Sequence, residues 1–253
     1  MRNWMMLQFE PSALRQPNSI FEVKNATITA SGHNLPATLY RLQNDNKEKD
    51  VYQLLTNRLK ELVDEIDEIM VDKDEKRDLL TLQIQFKDGL VLPAQSLSDG
   101  TLRFLGLATL EADSGKNSLI CLEEPENGIS PKKIEEMIKL LEDMATDTSC
   151  EVDQDNPFRQ VIINSHAPLV VRNSSDESLY LAKEKESYLP DFGKKVKHTT
   201  FSALNNTWKT NNKLAESTTK GDIIAYLERV VANDSQLVEE SCETYHSTKI
   251  KSK

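Results

Sequence analysis

The residues best suited to catalysis or ligand binding are two adjacent carboxylates, Glu123 and Glu124, which directly follow the apolar run 119–122 (LICL). That run predicts a buried strand, and the carboxyl ends of parallel strands are where α/β proteins bind their ligands. A carboxylate at such a position can hold Mg²⁺, usually through water, because hard cations prefer oxygen ligands. A second carboxylate can act as a general base for a water molecule that attacks phosphorus. The simpler alternative is a loop of solvated acids after a strand.

Two further segments carry groups that can contact an anion. Residues 97–103 (LSDGTLR) precede an apolar helix, so Ser98 and Gly100 place a hydroxyl and unpaired backbone N–H groups at a helix N-terminus. Residues 161–168 (VIINSHAP) form a second apolar strand that ends in a polar turn, and His166 in that turn can donate a hydrogen bond to a phosphate. Each segment also has an ordinary structural interpretation, the first as a helix cap and the second as a capping or core histidine.

The order and spacing of the three segments resemble the nucleotide-binding domains of ABC-type ATPases. The resemblance is closest to the SMC-related branch found in DNA-repair and phage-defence proteins, often labelled AAA family ATPase. Residues 97–103 resemble the signature motif of that branch. Residues 123–128 (EEPENG) resemble its Walker B segment running into the D-loop, and residues 165–168 (SHAP) resemble its switch-histidine motif.

The resemblance implies a role for each matching residue, with ATP and Mg²⁺ as cofactors. Glu123 takes the Mg²⁺ position, where the family more often has Asp, while Glu124 is the general base and His166 senses the γ-phosphate. The other matches are signature residues that face a nucleotide held by the opposite protomer and two D-loop residues, namely Ser98, Asp99, Gly100, Thr101, Asn127 and Gly128.

Two departures from the family pattern matter. The D-loop continues as residues 128–131 (GISP) where the family usually has Gly-Leu-His-Pro, so the contact of that histidine is in doubt. No P-loop of the form Gly-x-x-x-x-Gly-Lys-Ser/Thr occurs in the 253 residues, and the Gly-Lys of residues 115–117 predicts a surface turn instead. We therefore expect the carboxyl-terminal lobe of an ATPase, inactive alone, whose P-loop lobe and first strands are encoded separately, truncated or lost.

The elements around these motifs alternate between strands and helices, which predicts an α/β fold with a parallel sheet flanked by helices. By resemblance this is the C-terminal part of an ABC/SMC-type P-loop NTPase fold. Ser130 is a predicted N-cap, with Pro131 at the first helical position. The predicted elements here are helices 102–110 and 132–145 and strands 118–122, 160–163 and 179–181.

The rest of the chain divides into a lead-in and an extension. We predict a lead-in segment over 1–96, an ATPase lobe over 97–185 and a C-terminal extension over 186–253. The lead-in combines an amphipathic helix with a β-hairpin. Its predicted elements are strands within 4–9 and 20–23, a turn at 32–36 leading into a short helix, helix 51–66 and a hairpin over 80–92. In the extension we expect a helix over 222–231 and a disordered tail from residue 235.

Composition limits the classes of function. The 41 acidic and 31 basic residues give a net charge of −10, which argues weakly against a broad nucleic-acid surface and leaves room for a local basic patch. No apolar stretch is long enough for a membrane helix, and the first 30 residues lack the apolar core of a signal peptide, so a cytoplasmic location is expected. Three cysteines without a paired motif predict reduced thiols.

Two functions of different classes remain open. The first is ATP binding and hydrolysis as the signature and Walker B half of an SMC-like ATPase. It would require a P-loop lobe, form a homodimer through a nucleotide sandwich, and act on nucleic acid in DNA repair or anti-phage defence. The second is a non-catalytic remnant or interaction module that kept the fold and lost ATP binding.

Overall fold

The computed structural model describes residues 4–45, 50–113, 118–153, 156–189, 193–212 and 214–228. The chain forms two compact units, Met1–Ser165 and His166–Lys253. The elements of the first unit are β1 (Trp4–Leu7), α1 (Pro11–Leu14), β2 (Asn18–Ser19), α2 (Leu35–Asp45), α3 (Val51–Leu62), β3 (Ile66–Asp74), β4 (Leu79–Phe86), β5 (Val91–Pro93), α4 (Asp99–Ala112), β6 (Ser118–Glu123), α5 (Ile134–Met144) and β7 (Arg159–Asn164). Those of the second are α6 (Pro168–Asn173), β8 (Tyr180–Leu189), β9 (Lys194–Leu204), α7 (Trp208–Asn211), β10 (Glu216–Thr218) and a helix over 220–228.

The first unit contains a three-stranded parallel sheet in the order β1-β6-β7. The predicted strands 118–122 and 160–163 are confirmed as β6 and β7, and they pair in parallel. Leu7, Ile120 and Leu122 are buried on one face of this sheet. Helix α5 packs on β7 and α4 packs on α5, so helices cover that face. The α/β class with a parallel sheet and flanking helices is therefore correct.

The second sheet of the first unit is antiparallel, in the order β2-β4-β3. Strand β2 pairs with the start of β4, and β5 pairs with Gln83–Gln85 of β4. The predicted hairpin is confirmed as β4 and β5. The prediction of a helix up to Ile66 is wrong, because α3 ends at Leu62 and Ile66 begins β3. Strand β3 has a register shift between Ile66 and Glu68, so its buried residues Ile66 and Ile69 are spaced three apart, as in a helix.

Two other boundaries differ from the sequence prediction. Residues 20–23 were expected to form a strand, but Ile20–Asn25 is a 3₁₀ helix whose first turn is capped by the Ser19 hydroxyl, which accepts from the Phe21 N–H. Helix α5 begins at Ile134 after a 3₁₀ turn over Pro131–Lys133, and the Ser130 side chain makes no capping hydrogen bond. Its apolar face is as predicted, with buried Ile134, Met137, Ile138 and Leu141.

The second unit has its own small core and a mixed sheet in the order β10-β9-β8, in which β10 runs parallel to β9 and β8 runs antiparallel to it. The strand predicted over 179–181 is the start of the longer β8, which pairs with β9 and does not join the parallel sheet. The helix over 220–228 begins with a reciprocal capping pair, since the Asp222 N–H donates to Thr219 Oγ1 and the Thr219 N–H donates to Asp222 Oδ2. The core residues are Val171, Leu181, Leu204, Ile223 and Leu227.

Some predictions fall on residues outside the described ranges. These are the surface turn at 115–117, the end of the predicted helix beyond residue 228 and the tail from residue 235. The division of the chain into 1–96, 97–185 and 186–253 stays a prediction. In the part of the chain that the structure describes, no helix combines the length and the apolar character needed to cross a membrane.

Candidate functional site

Glu123 and Glu124 lie at the carboxyl edge of the parallel sheet, as the sequence predicts. Glu123 is the last residue of β6, is exposed, and lies in register with Asn164 at the end of β7. The Glu124 N–H donates to the Asn164 carbonyl at 2.8 Å, so the first residue beyond β6 is still tied to β7. This backbone bond fixes where the chain turns out of the sheet.

Glu124 adopts a left-handed backbone conformation with φ of +45°. For a residue with a side chain this conformation costs about 1 kcal/mol, so surrounding contacts must hold it. Asn127 supplies two of them, because its N–H donates to the Glu124 carbonyl at 3.1 Å and its Nδ2 donates to Glu124 Oε2 at 2.7 Å. The turn therefore holds the Glu124 carboxylate in one orientation.

Glu126 is a third carboxylate of the same turn, and only 8% of its surface is exposed. Its Oε1 accepts a hydrogen bond from the Ser165 hydroxyl, which links the turn after β6 to the residue that follows β7. Its Oε2 is buried and has no hydrogen-bond partner among the described residues. Sequence reasoning assigned no role to Glu126, although the acidic run 123–126 (EEPE) contained the signal.

The signature-like segment forms the start of helix α4. Ser98 is its N-cap, with Oγ accepting from the Thr101 N–H at 3.1 Å and lying 2.7 Å from Thr101 Oγ1. Ser98 and Asp99 are exposed, while Thr101 is buried. Arg15, which sequence reasoning missed, donates from Nη2 to the Leu97 carbonyl at 2.9 Å and to Asp99 Oδ1 at 2.5 Å. Ser98 therefore caps helix α4, and the role of this segment at a nucleotide stays a prediction.

The signature-like segment and the turn after β6, which resembles a D-loop, pack against each other through Gly100 and Gly128. A Cβ atom on Gly100 would overlap the carbonyl oxygen of Gly128, and Gly128 itself has a positive φ of +80°. Only glycine fits such an approach of two backbones. The structure thus brings Gly100, Gly128, Asn127 and Glu124 into one connected arrangement within the first unit.

Arg103 on α4 reaches the same region from the helix side. Its Nε is buried without a hydrogen-bond partner among the described residues. The Arg103 side chain borders a small cavity beside Glu123 at the end of the parallel sheet. The cavity is lined by Leu7, Phe9, Arg103, Leu107, Leu122, Glu123 and Pro125.

His166 is the first residue of the second unit and is exposed. Its role as a phosphate sensor stays a prediction. The same holds for the contact of Ser98, Asp99, Gly100 and Thr101 with a nucleotide of an opposite protomer.

The ligands available near Glu123 suit Mg²⁺ better than a metal ion that takes all its ligands from protein side chains. Within the described ranges, no three His, Cys, Asp or Glu side chains come together as metal ligands. Mg²⁺ is usually held by one or two carboxylates together with water and substrate phosphates. An exposed carboxylate at the end of β6 fits that requirement, so Glu123 can provide one ligand.

Comparison with solved structures finds similarities to SMC ATPase heads. The Smc head domain with a coiled coil and joint from Pyrococcus yayanosii is 11% identical, with a TM-score of 0.40, over 71% of this chain and 29% of that one. The SMC head domain from Thermotoga maritima is 14% identical, with a TM-score of 0.31, over 62% of this chain and 49% of that one. A third structure, from work on ATP-driven dimerization and DNA-stimulated activation of SMC ATPases, is 10% identical, with a TM-score of 0.36, over 59% of this chain and 82% of that one.

This chain therefore spans less than a third of the Pyrococcus yayanosii head-domain chain and about half of the Thermotoga maritima one. No curated protein matches the sequence. The model of one protein family, described as "AAA domain, putative AbiEii toxin, Type IV TA system", matches residues 40–172, which is more than half of the chain. The chain belongs to this AAA domain family.

Proposed function

We propose that this chain provides the Walker B, D-loop and signature half of an ATP-hydrolysing site, completed by a lobe that carries the P-loop. The observation that carries the proposal is the Glu124 carboxylate, held by Asn127 in a left-handed turn directly after Glu123 at the carboxyl edge of a parallel sheet. Membership of an AAA domain family supports a nucleotide as the ligand of that edge. The sequence itself contains no P-loop, so another segment must hold the phosphates.

In this proposal each carboxylate has one task. Glu123 contributes a ligand to Mg²⁺, which when bound neutralises charge that develops on the phosphates. Glu124 accepts the proton of the attacking water, because a carboxylate near a phosphate can act as a general base. Asn127 orients Glu124, since a hydrogen bond to Oε2 leaves Oε1 to face the water. His166 senses the γ-phosphate.

The signature segment serves a second protomer. Ser98 caps the 14-residue helix α4, and Asp99, Gly100 and Thr101 form its first turn, where the positive end of the helix dipole favours an anion. Ser98 is exposed and can reach the γ-phosphate of a nucleotide on the opposite protomer. ATP then closes a homodimer and hydrolysis reopens it. From the family resemblance we propose nucleic acid as the further substrate, in DNA repair or anti-phage defence.

The test is a Glu124→Gln variant of the full-length protein or complex that contains these residues, purified through a tag from its source cells. The amide keeps the shape and loses the basicity, so ATP turnover should fall at least 100-fold while ATP binding stays within threefold. Glu142→Gln, on the exposed side of α5, is the matched control and should keep normal turnover. Turnover of the Glu124→Gln variant within threefold of normal would remove Glu124 from the mechanism.

The absence of a P-loop from the sequence also favours a second candidate, a non-catalytic module that has lost ATP binding. The same purified material separates the two. A complex that neither binds nor hydrolyses ATP supports the non-catalytic module, whereas hydrolysis that depends on Glu124 supports the ATPase.

A further inference from the structure

Asp99 places a carboxylate where the proposed function requires a positive potential. It is the first residue of α4, directly after the N-cap Ser98. A carboxylate in the first turn stabilises the helix by itself, because it interacts with the positive end of the helix dipole. The same carboxylate opposes a phosphate, since it competes for the helix N-terminus and repels a second anion there. A phosphate can approach this end of α4 only if the charge of Asp99 is neutralised and its carboxylate is held aside.

Arg15 meets both requirements with one guanidinium. Its Nη2 donates to Asp99 Oδ1 at 2.5 Å and to the Leu97 carbonyl at 2.9 Å. The Arg15 side chain is 23% exposed, whereas that of Asp99 is 54% exposed. Within the described ranges, Asp99 has no other ion-pair partner. The position and the charge balance of the Asp99 carboxylate therefore depend on Arg15.

The backbone of Arg15 is anchored against α4 and against the segment that precedes it. Arg15 is the C-cap of α1, whose last residue Leu14 is fully buried. Leu14 lies against α4 at Gly106, where an added Cβ atom would come within 3.4 Å of Leu14 Cδ2. The Arg15 carbonyl accepts from Gln95 Nε2 at 3.0 Å. Arg15 is thus bonded to the start of α4 and its lead-in both as a donor and as an acceptor.

The stability of the folded chain gives little reason for this ion pair. A pair in which one partner is more than half exposed contributes little to folding, because solvent screens the charges. Helix α4 does not need the pair as a cap either, since the Ser98 side chain already accepts from the Thr101 N–H. An anion that approaches this end of α4, in contrast, requires the charge of Asp99 to be compensated.

We propose that Arg15 is a positioning residue of the signature-like segment 97–103. It draws the Asp99 carboxylate away from the N-terminus of α4 and cancels its charge, so that Ser98 can contact the phosphate of a nucleotide on the opposite protomer. This inference rests on the proposed function, because it takes that phosphate to be the ligand of the segment. It adds the residue that allows the segment to accept an anion.

The charge argument predicts that a second substitution rescues the first. In the full-length protein or complex purified from its source cells, Arg15→Met should lower ATP turnover at least tenfold, because the Asp99 carboxylate is then uncompensated. Asp99→Asn alone should keep turnover within threefold of normal, since the amide carries no charge. The double variant Arg15→Met/Asp99→Asn should also return to within threefold of normal. ATP-dependent dimerisation, followed by light scattering, should show the same order of the four proteins.

The ion pair of Arg77 with Asp74 supplies the matched control. It spans 3.7 Å, and the Arg77 side chain is 79% exposed. Arg77→Met, Asp74→Asn and the two together should all keep normal turnover. Urea unfolding of the 253-residue chain should give the same midpoint for Arg15→Met as for Arg15→Met/Asp99→Asn, because neither retains the ion pair. A rescue of turnover between these two variants then reports the charge of Asp99 and not the recovery of folding.

Two results would overturn the role of Arg15. Turnover of Arg15→Met within threefold of normal would mean that Asp99 needs no compensation. A double variant as slow as Arg15→Met would mean that Arg15 acts through the Leu97 carbonyl or through folding, and not through the charge of Asp99.

The two proposals fail in different ways. If hydrolysis depends on Glu124 but Asp99→Asn does not rescue Arg15→Met, the ATPase proposal stands and the role of Arg15 is rejected. If the wild-type material dimerises with ATP but does not hydrolyse it, the ATPase proposal fails, and the order of the four proteins in dimerisation decides the role of Arg15. Wild-type material that neither hydrolyses ATP nor dimerises with it removes both.

Discussion

Glu124 combines an unfavourable backbone conformation with a carboxylate that is held in one orientation. Its left-handed φ of +45° is a conformation in which glycine carries no penalty. The contacts from Asn164 and Asn127 hold that conformation and fix the carboxylate. A strained residue whose carboxylate is oriented by a neighbour is typical of a functional position rather than of a solvated loop.

This strain is measurable in the isolated chain. Glu124→Gly should be more stable than Glu124→Ala by about 1 kcal/mol in urea unfolding, because both lose the carboxylate and only Gly escapes the left-handed penalty. The same pair at Glu142 in helix α5 should show the opposite order by about 1 kcal/mol, since glycine weakens a helix. Equal stability of the two variants at position 124 would mean that the turn is not strained.

At the scale of elements, the close approach of α4 to the turn after β6 depends on Gly100 and Gly128. Gly100→Ala should destabilise the chain by about 2 kcal/mol, because the added methyl overlaps the Gly128 carbonyl and the backbones must separate. Gly221→Ala is the control, since its Cβ meets nothing closer than Thr219 Oγ1 at 3.8 Å, and its stability should be unchanged or slightly higher. Urea unfolding followed by circular dichroism measures both. A cost below about 0.5 kcal/mol for Gly100→Ala would show that the segments are not in contact.

Helices α3, α4 and α5 are joined by one guanidinium. Arg58 on α3 bonds Glu111 of α4 at 2.7 Å and Asp143 of α5 at 2.5 Å, and its side chain is only 16% exposed. The hydrogen bond to Glu111, followed by that to Asp143, holds the pKa of Arg58 above its usual value, against the effect of burial. The charge is therefore retained at every accessible pH.

Arg58→Met should lower the free energy of unfolding by about 2 kcal/mol, because it leaves the partly buried Glu111 without its partner. Arg77→Met offers a matched control, since that side chain is 79% exposed and its ion pair with Asp74 spans 3.7 Å. It should change stability by less than about 0.5 kcal/mol. Similar losses for the two variants would show that Arg58 does not join the helices.

The elements that could be predicted from the sequence are those in which apolar residues recur at a regular spacing. This holds for strands β6 and β7 and helices α4 and α5. A buried face requires apolar residues at the spacing of the strand or helix that carries it. Strand β3 was missed because its bulge gives helical spacing, and β8 was predicted too short because its outer residues are charged and solvated.

The candidate site was predictable to a similar extent. Glu123 and Glu124 follow an apolar strand, so their place at the sheet edge could be predicted from the chain alone. The contacts of Arg15 with Asp99 and of Glu126 with Ser165 join positions 84 and 39 residues apart. Such pairs depend on tertiary packing, which no local pattern encodes.

At the scale of the whole molecule, helices cover one face of the parallel sheet, while Trp4, Met6 and Ile162 are exposed on the other face. Most nucleotide affinity in a P-loop ATPase comes from the backbone N–H groups and the lysine of the loop, which surround the phosphates. This chain offers Glu123 and Glu124 at that edge and no P-loop in its sequence. Its own carboxylates therefore repel a triphosphate unless a cation intervenes.

The 253-residue chain alone should accordingly bind ATP·Mg²⁺ no better than about 1 mM, equivalent to roughly 4 kcal/mol, and show no turnover. Isothermal titration with ATP·Mg²⁺ and a phosphate-release assay measure the two properties. Lys116→Ala tests the Gly-Lys pair that precedes β6. This substitution should not change the affinity of the chain for ATP·Mg²⁺. Micromolar binding by the chain alone would mean that these residues contain a phosphate loop of another kind. Loss of that binding in Lys116→Ala would locate it, and the requirement for a separate P-loop lobe would then have to be withdrawn.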